Sequence, residues 1–144
     1  MQRLFLQPTE LAQWDALLSE AQFHAEVSLD TDVKAYLTHA LIRFSKQINL
    51  ADGIIAREML EALGQAGRRY QLQALREVGD RCLIFSGLFP GRAARRKVNL
   101  RYYIDMGQSA YHRVASLEQT SFAEIAVALR DNFQLLVTLL SSIR

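Results

Sequence analysis

The chain is short of the residues that staple, break or stop a protein fold. It has one cysteine, Cys82, so no internal disulfide can form, and a reducing, cytoplasmic setting is the expectation. Two prolines and seven glycines in 144 residues, with half the residues hydrophobic, give an ordinary globular composition, far from that of disordered chains. At this length a single domain buries a substantial core without metal or disulfide support. Sustained period-two alternation is missing, as are Asn-Gly and Asp-Gly hairpin turns, which argues against strands. No long apolar run is free of charge either. The greasiest segment, Phe122–Ile143, carries Arg130, Asp131 and Asn132 near its middle, and such groups are costly in lipid, so no membrane span is expected. The opening MQRLFLQPTELAQWD turns polar too soon for an export signal.

What is present is helical periodicity. The spacing predicts an all-α fold, an irregular bundle of five to six helices forming one domain over residues 1–144. Thr9, after Pro8, caps a first helix running to about Phe23, with Leu11, Trp14, Leu17 and Leu18 at intervals of three and four. A second helix starts near Asp30 or Thr31 and carries a broad stripe of Val33, Leu37, Ala40, Leu41, Phe44 and Ile48. A shorter third spans about Ala51–Leu63, and a fourth about Arg68–Phe85. Gly87 is placed to terminate the fourth with a positive φ, ahead of Pro90. Asn99 is a cap for a fifth helix over about Leu100–Leu117. Its polar side holds Arg101, Asp105, Gln108, Ser109 and His112, and its apolar side Tyr103, Gly107, Ala110 and Val114. The last helix opens on the capping-box pattern Ser121–Glu124 and runs to the end. Apolar over most of its circumference, it needs several partners. It is either the centre of the bundle, the reading adopted here, or half of a homodimer interface.

Charge is unevenly spread. Residues 1–67 carry five basic and nine acidic side chains, residues 68–101 nine basic against Glu77 and Asp80, and residues 102–144 three basic and four acidic. A basic block of this kind marks an anion-binding face, or else two halves that attract each other across the fold.

Catalytic patterns fare poorly. Asp105, Ser109 and His112 share one helix face, but a serine–histidine–acid relay needs the histidine between the other two, and a plain solvated face is the simpler reading. His24, His39 and His112 are far apart in sequence and lack metal-ligand spacing, so no metal or other cofactor is expected. Cys82 sits beside Leu83 and Ile84 on an apolar side, as a buried structural thiol does.

The strongest surface feature is the segment GRAARRKVNLR. Arg92, Arg95, Arg96 and Lys97 precede a helix start, Arg101 lies one turn inside it, and Tyr102 offers a flat ring. With Leu88 and Phe89 as apolar anchors, these residues form the expected binding face of a non-enzymatic adaptor or regulatory module that takes a protein partner. The alternative is nucleic-acid or phosphate-ligand binding through the same arginines. An enzyme working in an inter-helix cleft is the third reading.

The block GDRCLIFSGLFPGRAARRKVNLRYYIDMGQSAYHRVA, Gly79–Ala115, resembles a motif block in a family of small all-helical bacterial proteins of unassigned function. It covers about a quarter of the chain. The resemblance implies a bacterial, cytoplasmic protein and carries no catalytic residues over.

Overall fold

The computed structural model describes residues 9–45, 61, 64, 67–90 and 100–143. They form six helices: α1 Glu10–Ala25, α2 Thr31–Ser45, α3 Arg68–Leu88, α4 Leu100–Leu117, α5 Phe122–Asp131 and α6 Phe133–Ser141. No strand occurs among the described residues, and the fold is the expected all-α bundle. The helix expected over Ala51–Leu63 falls, apart from Glu61, outside the described residues. Among the described residues no helix is long and apolar enough to cross a membrane.

Local chemistry sets most of these boundaries. The Thr9 hydroxyl accepts a hydrogen bond from the Ala12 N–H at 3.1 Å, capping α1 as the sequence suggests. At the other end Glu26 takes a left-handed conformation, φ 57°, a place where glycine is normally preferred. The Gln22 side chain accepts from the Leu29 N–H at 2.8 Å and shapes the link into α2. Lys34 of α2 then reaches back to Asp15, 3.1 Å, and to Ser19, 2.6 Å. Of the predicted α2 stripe, Val33, Leu37, Ala40, Leu41 and Phe44 are buried, and Ile48 lies outside the described residues.

Three expectations need correction. Gly87 does not end its helix: α3 continues to Leu88, and no glycine among the described residues has a positive φ. Gly87 is instead buried within the helix, where a β-carbon would meet the Leu140 side chain at 2.5 Å. Its smallness seats α6 on α3. The capping box at Ser121 does not form either, because Ser121 is itself helical and its side chain caps nothing. Thr120 accepts from the Phe122 N–H instead, at 3.2 Å, and Glu118 from the N–H groups of Gln119 and Thr120. Finally, the last helix is two. Asn132 interrupts it, its side-chain amide donating to the Ala128 carbonyl at 2.9 Å, which also accepts the Asn132 backbone N–H at 3.0 Å.

The C-terminal segment does sit inside the bundle, with α6 packed against α1, α3, α4 and α5. Phe133, Leu136, Val137, Leu139 and Leu140 are buried. The exposed residues of α5 and α6 are Glu124, Asp131, Gln134 and Thr138, all polar, while Phe122, Ile125, Val127 and Leu135 are half-buried. The centre is shared with α3, whose residues from Val78 to Gly87 are buried apart from Arg81. Helix α4 lies closely along it. A β-carbon on Gly79 would meet the Tyr111 ring at 2.6 Å, and one on Gly107 would collide with Phe133 and Cys82. That close approach brings Tyr111 to the site described next.

Candidate functional site

Within this apolar interior lies one carboxylate. Asp80, on α3, is completely buried, and burying an ionised group is expensive unless its lone pairs are occupied. Three neighbours occupy them. The Tyr36 hydroxyl, from α2, lies 2.8 Å from each carboxylate oxygen. The Tyr111 hydroxyl, from α4, donates to Oδ1 at 2.7 Å. Arg43, also from α2, donates from Nη2 to Oδ2 at 2.6 Å. Three helices are thereby tied to one side chain.

The electrostatics follow from the burial. Loss of water raises the Asp80 carboxyl above the ordinary carboxylate value, and the Tyr111 and Tyr36 hydroxyls, then Arg43 and Arg76, pull it back. For Tyr36 and Tyr111, burial first and the neighbouring Asp80 charge second push the phenols well above the usual tyrosine range. Both therefore remain hydrogen-bond donors.

A half-open cavity of about 660 Å³ leads from the surface to this cluster. Four arginines line it, Arg43, Arg68, Arg69 and Arg76, together with Leu72 and Gln73; its carboxylates are Glu77, Asp80 and Glu118. On α3 the residues Arg69, Gln73, Arg76 and Asp80 recur at intervals of four, three and four, which puts them on one helix stripe. Arg76 is held in place from both sides: its guanidinium lies 4.0 Å from the centre of the Phe122 ring and 5.3 Å from that of Tyr36, a cation–π arrangement that fixes the group's position. Among the described residues, Arg43 has an ion-pair partner in Asp80, and no carboxylate lies within ion-pair distance of Arg68, Arg69 or Arg76. The arrangement offers several planar donors, suited to the oxygens of a phosphate, sulfate or carboxylate.

The residues singled out from the sequence lie elsewhere. Arg92, Arg95, Arg96 and Lys97 fall outside the described residues. Leu88 and Phe89 are half-buried against the core, with the Phe89 ring 6.4 Å from Phe85, so each keeps only part of its surface for a partner. Arg101 pairs with Asp105 at 2.9 Å, and Tyr102 packs edge-on against Tyr103 at 5.3 Å. The Asp105–Ser109–His112 face does not form a relay. Asp105 is engaged by Arg101, and His112 Nδ1 lies 3.0 Å from Arg130. Cys82 is fully buried. Among the described residues no three histidine, cysteine or acidic side chains converge as metal ligands.

Sequence reading passed over Asp80, Tyr36, Arg43 and Tyr111. One signal was available: Asp80 is an acid flanked by Gly79, Cys82, Leu83 and Ile84, on the part of α3 that a core claims. Compared with known proteins, the chain has no significant match to a family model, a curated protein or a solved structure.

Proposed function

We propose that the protein is a binding module for a small anionic ligand, a phosphorylated or otherwise polyanionic molecule, held by Arg68, Arg69 and Arg76 in the cavity above Asp80. The observation that carries this reading is the convergence of four arginines on one cavity in which, among the described residues, only Arg43 has a carboxylate within ion-pair distance, the already satisfied Asp80. Guanidinium groups gathered against like charge are costly unless an anion joins them. The size of the cavity is in the range that small-molecule sites occupy. Arg69 and Arg76 stand seven residues apart on α3, about 10 Å along the helix axis at the usual rise per residue. This favours a ligand with more than one anionic group over a single ion.

A compact ligand fits better than a nucleic-acid strand. Glu77 and Glu118 stand among the arginines and would repel a continuous phosphate backbone, while offering acceptors to hydroxyl or amine groups of a small molecule. The test is a calorimetric titration of the protein with inorganic pyrophosphate, repeated on Arg69→Ala, Arg76→Ala and, as a control at a distance from the cavity lining, Arg101→Ala. Saturable binding weakened tenfold or more by the first two and unchanged by the third supports the reading. Equal loss in all three, or an oligonucleotide that binds tightly while pyrophosphate does not compete, overturns it.

A further inference from the structure

The fourth arginine of the cavity differs from the other three in being already committed. Arg43 spans the boundary between water and core: its side chain is 51% exposed, whereas the carboxylate it holds is 0% exposed. A guanidinium has five N–H donors, and Arg43 spends Nη2 on Asp80 Oδ2 while its guanidinium carbon lies over the Phe44 ring, 4.8 Å from the centroid. An anion entering the cavity therefore competes with Asp80 for the same group. We infer that Arg43 is an exchangeable arm, drawn from Asp80 to the bound anion, and that the anion is taken up together with one proton on the Asp80 carboxylate. This inference rests on the anion-binding reading above and adds its regulation.

The proton has one place to go. Asp80 is faced by Tyr36 and Arg43 from α2, by Arg76 from its own helix and by Tyr111 from α4. The arginine stays charged throughout, and the two phenols already hold their protons. When Arg43 turns away, the buried carboxylate loses its direct cation and gains an anion nearby; each change favours the neutral acid. Burial alone already leans Asp80 in that direction. Protonation on Oδ2, the oxygen that Arg43 vacates, leaves Oδ1 as the acceptor for both the Tyr36 and the Tyr111 hydroxyls.

The experiment uses the full chain and sodium sulfate, an anion that keeps its charge across the range and cannot itself supply the proton change. Titrations at pH 6 and pH 7.5, each in two buffers of different ionisation enthalpy, count protons taken up per sulfate bound. Uptake approaching one proton, with affinity roughly ten- to thirtyfold weaker at the higher pH, is the expected result, a single linked proton allowing at most about tenfold per pH unit. Asp80→Asn removes the uptake and flattens the pH dependence. Arg43→Gln, at a half-exposed position, also reduces the uptake to background and supplies a second variant should Asp80→Asn not fold. Saturable sulfate binding without proton uptake, or uptake undiminished in Arg43→Gln, overturns the exchange and leaves the anion-binding reading standing. Failure of sulfate to bind saturably at either pH overturns the exchange, and failure of pyrophosphate to bind as well overturns both.

Discussion

Helix α3 behaves as two different helices joined end to end. From Arg68 to Glu77 only Leu72 and Leu75 are buried, and arginines occupy the open side. From Val78 to Gly87 every residue but Arg81 is buried. The change comes at Gly79 and Asp80, where Tyr111 presses against the first and hydrogen-bonds the second. The lesson is that one helix serves as both scaffold and site: its second half is gripped by α4 and α6, and this rigidity lets the first half project charges at fixed positions.

Removing the junction is the sharpest way to break the contrast. Asp80→Ala leaves the Tyr36 and Tyr111 hydroxyls and Arg43 without their shared acceptor and should cost about 3 kcal/mol in urea unfolding, since each buried orphaned polar group costs about 1–3 kcal/mol. A cost below about 1 kcal/mol would mean that the cluster is solvated and the two halves are not so distinct. Next in size, Gly79→Ala forces the Tyr111 ring away from α3 and should cost about 2 kcal/mol, in the range of overpacked cores. A truncation at an exposed residue of the first half, Gln73→Ala, should change stability by less than about 0.5 kcal/mol. Tyr111→Phe, which removes one hydrogen bond to a charged group without changing packing, should cost about 1.5–2 kcal/mol.

Acid dependence sharpens the comparison further. The folded protein holds the Asp80 proton more tightly than the unfolded chain, whose ordinary value is 3.8. The contribution of this group is therefore fully present below that pH and is lost as pH rises through its higher folded value. The urea midpoint of the wild type, minus that of Asp80→Asn, should fall as pH is raised from about 4; a rising difference would show the carboxylate to be stabilised as the anion. One stabilising change lies outside α3. Glu26→Gly relieves a left-handed non-glycine residue and should raise stability by about 0.5–1 kcal/mol, read as an increase in melting temperature.

Much of the scaffold was legible in the sequence because each helix carries its own period. The α2 stripe and the Tyr103, Gly107, Ala110, Val114 face of α4 are buried as their spacing predicts. Gly87 misled because a glycine before a proline signals a stop locally, whereas its purpose depends on Leu140, 53 positions away in the chain. The site was illegible for the same reason. Arg43, Arg76, Asp80 and Tyr111 are scattered over α2, α3 and α4, and no local pattern states that one carboxylate will collect two phenols and a guanidinium. The dense basic run 92–97 drew attention by being contiguous, while the cavity's four arginines come together only through packing.

Whether the cavity holds an anion is read directly by arginine side-chain NMR. Titrating the protein with pyrophosphate should shift the guanidinium resonances of Arg43, Arg69 and Arg76, and the Tyr36 ring, along one saturating curve, with Arg101 and Arg113 unmoved. Shifts spread evenly over all arginines without saturation, or confined to Arg92, Arg95 and Arg96, would contradict it.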